Sequence, residues 1–443
     1  MTNEVSTRTL GEVSENISRR FDFTKVDEVV FINTGDVLNG KFLHCSLSPK
    51  IGLPGQAKKG IQKGDILFSE IRPANGRFAL VDFDVDNYVV STKFMVIKTK
   101  GNIDTEFLYI FLSQRQTLHE FQRIAETRSG TFPQITFDSI MHLQIPLLPL
   151  ESQQKIVKFI SQIDHKIENN RQMKETLEEI ARAIFKSWFV DFDPVHAKAA
   201  GNAPAHMDAE TAALFPSSFG DDGLPVGWKA SKFENLIEFK NGYAFKSKEI
   251  SKDFKTNFAI FKMGHIKVGG GFNDSCKTDY LISEASPKME KYILETGDVL
   301  MSMTDMKDNV RLLGHTALFY EQNVNFLVNQ RVGLIKAKKE ITNYPYIYCL
   351  TNNKTFLNEI RKRANSGVQV NLSTDGIKTT PTIMPPLSLM AKFGSLSYPI
   401  FERIFSSSKE NQTLAELRDT LLPKLMSGEI RVKDAEREVG AAV

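Results

Sequence analysis

The sequence predicts a mixed α/β (α+β) protein in which two similar globular units are joined by two long antiparallel helices that form an intramolecular coiled coil. Three observations support this fold class. About half of the 443-residue chain repeats itself, each copy contains many short β-rich segments, and each copy leads into an apolar stripe with heptad-like spacing. A chain of this length is large enough to bury the cores of several domains.

The internal repeat is visible at an offset of 237 residues. Ser129-Gly130 then aligns with Ser366-Gly367, and the alignment continues without a gap into both helices. At a slightly different offset, Gly64–Ser69 matches Gly297–Ser302 almost residue for residue. Repetition over this length indicates two copies of one globular unit, each followed by one long helix.

Each unit is expected to contain short strands and two shorter helical segments. Runs of β-branched and aromatic residues between Gly, Asn and Asp turns are typical of strands. The predicted strands are Val29–Ile32, Ile66–Ser69, Phe78–Val81, Phe94–Lys98, Phe258–Met263, Val299–Met303, Thr316–Tyr320 and Val332–Lys336. Helices are predicted at Thr105–Arg123 and Tyr344–Arg363, just before the two Ser-Gly segments.

The long helices are predicted to begin after the prolines that end each unit. In the first helix, apolar residues recur at steps of three or four, as in Ile156, Ile160, Ile163 and Ile167. A narrow apolar seam favours a partner helix, and the second helix of the same chain is the nearest candidate; a lone helix on a globular core is the alternative. Pro399 lies inside the second stripe and is expected to kink that helix or to mark its start.

These features divide the chain into six segments. They are a first globular unit at 1–150, a first spacer helix at 151–186, an irregular bridge at 187–224, a second globular unit at 225–386, a second spacer helix at 387–430 and a tail at 431–443. Aromatic residues, including Trp188 and Trp228, flank the bridge. They are expected either to anchor the bridge in a core or to form an exposed docking site.

Charge is distributed unevenly, although the net charge is only +3. Residues 1–150 carry 17 Lys and Arg against 17 Asp and Glu, whereas residues 225–386 carry 23 against 16. The basic second unit favours a polyanionic partner, with ordinary surface scatter as the alternative.

The cysteines and histidines give no indication of a disulfide framework or a metal site. Cys45, Cys276 and Cys349 are scattered, and no His/Cys cluster has the spacing of metal ligands. The sequence also contains no run of about 18 apolar residues and no basic segment followed by an apolar one. A cytoplasmic location is therefore expected.

Two motifs resemble catalytic sequences. Gly35–Lys41 fits the GxxxxGK pattern of a phosphate-binding loop, but Phe42 stands where Ser or Thr would hold magnesium, and no helix pattern follows. Asp298 and Asp305, followed by Lys307, resemble a two-metal nuclease site, although a Gly-Asp turn that feeds a buried strand, followed by a polar loop, is the preferred explanation. A stand-alone metal-dependent DNA nuclease and a coiled-coil scaffold that binds protein are therefore the alternatives to a recognition protein.

Polar and basic side chains on predicted loops occur at matching places in both copies. Arg pairs with guanine, Asn and Gln pair with adenine, and Lys and Ser bind phosphate. The candidate DNA-binding residues of the first unit are Arg72, Asn75, Arg77, Lys93, Arg128, Ser129, Thr131 and Gln134. Those of the second unit are Lys240, Asn241, Tyr243, Lys307, Asn309, Arg311, Gln330, Arg331, Arg363, Asn365, Ser366, Gln369 and Asn371. Any one of them alone is also explained as a solvated loop residue, and the matching clusters favour DNA.

Taken together, the motifs resemble the specificity subunit of type I restriction-modification systems. The segments that carry this resemblance are Gly64–Ser69, Gly297–Ser302, Pro146–Gln154, Ala183–Pro194, Pro225–Trp228 and Leu421–Arg431. The likeness extends over essentially the whole chain, although Leu389–Pro399 departs from the opening of the first long helix.

The resemblance implies a non-catalytic subunit with two target recognition domains, each of which reads one half of a bipartite, asymmetric DNA site. The coiled coil would set the gap between the two halves. The implied partners are double-stranded DNA, two methyltransferase subunits that hold S-adenosylmethionine and methylate adenine, and motor-nuclease subunits that use ATP and magnesium. No cofactor or metal is expected in this chain itself.

Overall fold

The computed structural model describes residues 6–128, 132–254, 256–306, 310–366 and 369–442. The chain forms two compact units. Unit 1 comprises Met1–Glu168 and Glu410–Val443, and unit 2 comprises Asn169–Lys409. None of the helices in these described ranges combines the length and the apolar character needed to cross a membrane.

The elements up to the first long helix are short strands with four helices among them. The strands are β1 (Ser6–Thr9), β2 (Ser14–Asn16), β3 (Glu28–Ile32), β4 (Val37–Leu38), β5 (Lys41–Phe42), β6 (Ser48–Pro49), β7 (Ala57–Gly60), β8 (Ile66–Ser69), β9 (Phe78–Leu80), β10 (Tyr88–Ser91), β11 (Phe94–Thr99) and β12 (Gln144–Leu147). The helices are α1 (Leu10–Val13), α2 (Thr105–Ser113), α3 (Arg115–Arg128), α4 (Phe137–Ile140) and the long α5 (Leu150–Phe189).

The remaining elements repeat this plan. The strands are β13 (Lys229–Lys232), β14 (Ile237–Asn241), β15 (Ile250–Ser251), β16 (Phe258–Phe261), β17 (Asp279–Leu281), β18 (Val299–Ser302), β19 (Thr304–Met306), β20 (Thr316–Leu318), β21 (Asn325–Val328), β22 (Val332–Ala337), β23 (Asn365–Ser366), β24 (Gln369–Asn371) and β25 (Pro381–Met384). The helices are α6 (Asp193–Ala199), α7 (Ala209–Ala213), α8 (Pro287–Glu290), α9 (Tyr344–Thr351), α10 (Lys354–Arg361), α11 (Thr374–Lys378), the long α12 (Leu387–Met426) and α13 (Val432–Ala442).

The two units share one antiparallel sheet and the central part of a second sheet. In unit 1 the antiparallel sheet has the order β2-β11-β8-β9, and the second sheet, β6-β3-β10-β7, contains the parallel pair β3 and β10. In unit 2 the antiparallel sheet has the matching order β14-β22-β18-β20. The second sheet of unit 2, β15-β17-β16-β21, matches the first in β17-β16-β21, with β16 and β21 parallel, and differs in its edge strands. Even the register agrees, because Ser69 pairs with Phe94 as Ser302 pairs with Val332. The predicted internal repeat is confirmed.

The GDILFS and GDVLMS motifs are turns that feed buried strands. Gly64 and Gly297 have φ angles of 90° and 95°, in the left-handed region that favours glycine. The Asp65 carboxylate accepts a hydrogen bond from the Gln62 N–H at 2.7 Å, and Asp298 accepts one from the Glu295 N–H at 2.9 Å. These bonds close each turn, and the four residues of β8 and of β18 that follow are all buried.

The apolar seam of α5 packs against both a helix and a globular core. Within unit 1 its isoleucines join one cluster with Leu414, Leu421 and Leu425 of α12 and with sheet residues such as Ile66. The Asp164 carboxylate pairs with Arg418 at 2.6 Å, and the Asn411 amide donates to the Ile167 carbonyl at 3.1 Å. Moving forward along α5 therefore means moving backward along α12, so the two helices are antiparallel in this unit, as predicted.

Three details of the helix predictions were wrong. The segment predicted as Thr105–Arg123 breaks at Gln114 into α2 and α3. The segment predicted as Tyr344–Arg363 breaks where Asn353 caps α10, because its side chain accepts the Thr355 N–H. Helix α12 does not start at Pro399, so that alternative was wrong, whereas a kink at this proline stays a prediction. The buried Phe393 and Phe401 hold the helix in the core on either side of this proline, so tertiary packing outweighs the missing backbone donor.

The bridge is anchored in a core and contains two short helices, α6 and α7. Trp188, Phe189 and Trp228 are buried in one aromatic cluster with Phe393. This observation selects the buried anchor over the exposed docking site. The segment after α12, expected as a tail, contains α13, whose Ala435 is buried in the unit 1 core.

Candidate nucleic-acid interface

In unit 1 the loops that carry the predicted contact residues meet at the end of β8. The Glu70 N–H donates to the Lys93 carbonyl at 2.9 Å, and the Arg72 N–H donates to the Pro133 carbonyl at 3.1 Å. Between these bonds, Ile71 forms a bridge with Gln134. The tertiary structure therefore gathers Arg72, Lys93 and Gln134, which are distant in sequence, around one strand end.

The Arg72–Arg77 loop has two faces. Arg72 adopts a left-handed conformation with φ of 43° and is exposed, as is Asn75 one turn later. Arg77 instead donates from Nη1 to the carbonyls of Gly35 and Val37, each at 2.9 Å. Its guanidinium therefore holds neighbouring backbone, whereas Arg72 and Asn75 face solvent. The contact role of all three stays a prediction.

In unit 2 the equivalent strand end, that of β18, also collects loops. The Met303 N–H donates to the Arg331 carbonyl at 3.1 Å, and the Leu372 N–H donates to the Met303 carbonyl at 2.8 Å. Strand β19 continues from β18 and pairs with β24, placing Thr304 opposite Asn371. Arg331 and Asn371 thus occupy the positions that Lys93 and Gln134 occupy in unit 1.

A cleft of about 470 Å³, which we call cleft 2, lies at this strand end. Three of the predicted contact residues, Asn241, Gln330 and Asn371, line it. Its other lining residues are Gly242, Ala244, Met303, Thr304, Leu372, Ser373 and Thr374. The Asn241 amide is oriented by a hydrogen bond to the Thr374 hydroxyl at 3.0 Å. Cleft 2 is therefore uncharged in the part of the chain that is described, and rich in amide and hydroxyl groups.

The other predicted residues of unit 2 differ in their contacts and in their exposure to solvent. Lys240 donates to the Lys291 carbonyl at 3.2 Å, and the Tyr243 ring packs against Phe245 and Tyr292. Arg363 donates to the Thr379 hydroxyl at 3.4 Å. The exposed predicted residues of unit 2 are Lys240, Asn241, Arg311, Gln330, Arg331, Arg363, Asn365, Gln369 and Asn371.

Some predicted contacts cannot be located. Ser129, Thr131, Lys307 and Asn309 lie outside the described residues, as do the side chains of Arg128 and Ser366. The roles assigned to these six residues therefore stay predictions from the sequence.

A second cleft, cleft 1, lies in unit 1 and was missed by the sequence analysis. It has a volume of about 660 Å³ and is lined by Arg19, Arg20, Lys50, Lys58 and Lys59, together with Ser18, Phe23, Leu53, Pro54, Gly55, Ala57 and Thr92. Its position overlaps in part with that of cleft 2, because strand register makes its lining residues Ser18 and Thr92 equivalent to Asn241 and Gln330. The sequence signal that could have indicated it is the pair of basic doublets.

The nuclease alternative is not favoured by the geometry. Asp298 is buried, and its carboxylate closes a turn and lies 3.6 Å from Lys336 Nζ. Asp305 accepts hydrogen bonds from the N–H groups of Leu312 and Leu313. Both carboxylates are thus committed to backbone structure. Across the ranges that are described, no three His, Cys, Asp or Glu side chains come together in an arrangement that could hold a metal ion.

Comparison with known proteins identifies relatives along the whole chain. The family model described as "Type I restriction modification DNA specificity domain" matches twice, at residues 3–179 and 225–393. The type I restriction enzyme HindI specificity subunit of Haemophilus influenzae is 38% identical, with 95% of this chain and 98% of that protein aligned. The MjaIX specificity subunit of Methanocaldococcus jannaschii is 26% identical over 92% of this chain and 88% of that protein.

A solved structure shows the same fold. The crystal structure of the type I restriction-modification system S subunit from M. genitalium covers 96% of this chain and 97% of its own, with a TM-score of 0.52 and 16% sequence identity. The two matches of the family model coincide with the two halves of the internal repeat.

Proposed function

Because the chain belongs to the family of type I restriction-modification DNA specificity subunits, we propose that it reads a bipartite, asymmetric DNA site on behalf of partner subunits. In this proposal residues 1–150 and 225–386 are the two recognition domains, and the long helices between them form the spacer. The chain supplies sequence recognition, and the chemistry belongs to the partners.

The observation that supports this proposal most directly is that two units with similar sheets have clefts with different linings. The antiparallel sheets of the two units have the same strand order and the same register at the ends of β8 and β18. The clefts beside these sheets differ in lining, because cleft 1 has five basic side chains and cleft 2 has amides and hydroxyls. Two related readers with different linings suit a ligand whose two halves have different sequences.

Cleft 2 has the chemistry of base recognition. Asn and Gln side chains can donate and accept together, which matches the N6 and N7 positions of adenine in the major groove. Asn241, Gln330 and Asn371 bring three such amides to one cleft, and the exposed Arg331 beside them has the donor geometry suited to guanine. We assign these four residues to the half-site of unit 2, and Arg72, Asn75 and Gln134 to that of unit 1.

The partners in this proposal follow from the family. We propose two methyltransferase subunits, which would hold S-adenosylmethionine and methylate adenine at the site, and restriction subunits, which would use ATP and magnesium. No cofactor is assigned to this chain. Its contribution to both reactions is to place the partner complex at one DNA sequence.

Adenine methylation across a genome tests the proposal. A host that expresses this chain with its methyltransferase subunit is compared with one that expresses the methyltransferase alone. We expect methylation at one two-part motif only when this chain is present. Methylation without sequence preference, together with equal binding of all duplexes, would contradict the proposal and favour a protein-binding scaffold.

A matched pair of variants assigns the half-sites. Asn371→Ala in unit 2 and Gln134→Ala in unit 1 occupy equivalent strand positions. Each is expected to relax recognition in a different half of the motif, with a loss of about 1–3 kcal/mol of discrimination where the residue reads a base. If both variants changed the same half, the assignment of one half-site to each unit would be wrong.

A further inference from the structure

Cleft 1 is built by pairing two basic doublets that are far apart in sequence. Arg20 forms an antiparallel bridge with Lys59, and the flanking backbone bonds run from the Phe21 N–H to the Lys58 carbonyl and from the Gly60 N–H to the Arg19 carbonyl. The segment that follows β2 and strand β7 therefore bring four cations to one cleft. Like charges held together by backbone pairing repel each other unless a counter-charge is present.

The protein neutralises only part of this charge. Arg19 pairs with the buried Asp65 at 2.8 Å, and Lys50 pairs with Asp27 at 3.0 Å. Lys59 donates to the Phe94 carbonyl at 2.6 Å, and partial burial lowers the pKa of its ammonium group.

Two cations of the cleft have no such partner. Arg20 and Lys58 are exposed, and neither side chain makes a hydrogen bond or an ion pair with any described residue. No acidic side chain of the described part of the chain lines the cleft. The cleft therefore presents uncompensated positive charge to solvent, which is the requirement for holding an anion.

Cleft 1 is continuous with the loops that carry the predicted base contacts of unit 1. Thr92 lines the cleft, and the next residue, Lys93, accepts the Glu70 N–H at the end of β8. A nucleic-acid strand whose bases face Arg72 and Gln134 would therefore have this cation cluster beside it. Backbone phosphates carry one negative charge each and are the groups that Lys and Arg contact without regard to sequence.

We propose that cleft 1 binds the phosphodiester backbone of the DNA half-site read by unit 1, with Arg20 and Lys58 as its phosphate contacts. This proposal rests on the proposed function. It makes the two halves unequal: cleft 1 contributes affinity that depends on salt and not on sequence, whereas the uncharged cleft 2 contributes hydrogen-bond recognition. The net charges of the units would suggest the opposite division, since the basic excess lies in residues 225–386.

The salt dependence of DNA binding tests this division. The complex of this chain with its methyltransferase subunits is titrated with two duplexes over a series of salt concentrations. One duplex has a random sequence, and the other contains the two-part motif identified by genome methylation. The test variant is Arg20→Gln with Lys58→Gln. Lys63→Gln serves as the charge-matched control, because Lys63 is an exposed lysine of unit 1 that does not line the cleft.

For the double variant we expect the slope of log affinity against log salt to fall in magnitude by about 2, since each phosphate contact contributes about 0.9. Binding to both duplexes should weaken to the same extent, which leaves their affinity ratio unchanged. The Lys63→Gln control should keep the slope of the wild type, because it removes no cation of the cleft.

Two outcomes would overturn the proposal. In the first, the double variant has the same slope as the wild type and the Lys63→Gln control. In the second, the ratio of affinities for the two duplexes collapses in the double variant, which would mean that the cleft reads bases. A wild-type complex that shows no preference for the methylated motif would instead count against the proposed function, and the random duplex would still report on the cleft.

Discussion

Replacing Asp298 with Asn is expected to stabilise unit 2 at neutral pH. Burial raises the pKa of the Asp298 carboxyl to about 6 from an ordinary value of 3.8, although the Glu295 N–H and Lys336 both favour its ionised form. A difference of this size in the pKa corresponds to about 3 kcal/mol in the free energy of unfolding. The buried carboxylate is thus a cost to the fold at neutral pH.

The sign follows from proton binding. Between the ordinary pKa and the raised one, the folded chain binds more protons at this site than the unfolded chain, so the free energy of unfolding falls as the pH rises through that window. Asn stays neutral and keeps an oxygen that can accept the Glu295 N–H. We therefore expect D298N to match the wild type near about pH 4 and to exceed it by up to about 3 kcal/mol near about pH 7.5.

Urea unfolding followed by tryptophan fluorescence measures this difference. Both tryptophans of the chain, Trp188 and Trp228, are buried in the core of unit 2, which also contains Asp298. Glu321→Gln is a suitable control, because Glu321 is exposed in the same unit and its side chain has no hydrogen bond or ion pair with the described residues. The reasoning would be refuted if the difference in unfolding free energy between D298N and the wild type did not change with pH, as is expected for the Glu321→Gln control.

Three further substitutions test other parts of the structure. Phe393→Ala removes a fully buried ring from the aromatic cluster and should cost about 3–5 kcal/mol in urea unfolding; a cost below about 1 kcal/mol would show that the cluster is not packed as described. Arg418→Ala breaks the pair with Asp164, whose side chain is half exposed, so thermal unfolding should shift by less than about 1 kcal/mol. Asp305→Ala leaves the backbone N–H groups of Leu312 and Leu313 without their acceptor and should lower the free energy of unfolding by about 1–3 kcal/mol. If the isolated wild-type chain cut DNA with magnesium and this variant did not, the nuclease alternative would be favoured.

The sequence determined the repeat, eight of the strands and the direction of the long helices. Strands and helices can be predicted from sequence because the spacing of apolar residues within a few turns indicates them. The match of Gly64–Ser69 to Gly297–Ser302 therefore located the central strand of each sheet correctly. The helix breaks at Gln114 and Asn353 were missed, since caps compete with good helical spacing on both sides.

Contacts between distant segments could only be found in the tertiary structure. The amides of Asn241, Gln330 and Asn371 were recognised as candidates singly, but the cleft that unites them exists because β14, β22 and β24 end together at β18. In the same way, the sequence allowed the second long helix to start at Pro399, whereas in the structure α12 continues through this proline between the buried Phe393 and Phe401.

The distribution of charge shows most clearly the difference between what the sequence determined and what the tertiary structure decided. Counting residues placed the basic excess in residues 225–386, whereas the basic cleft lies within residues 1–150, which have equal numbers of acidic and basic residues. Net charge adds every side chain with the same weight, but a ligand responds to those within a few ångströms of it. The sequence therefore specified two readers of one design, and the folding of Arg19-Arg20 against Lys58-Lys59 decided which of them presents a charged cleft.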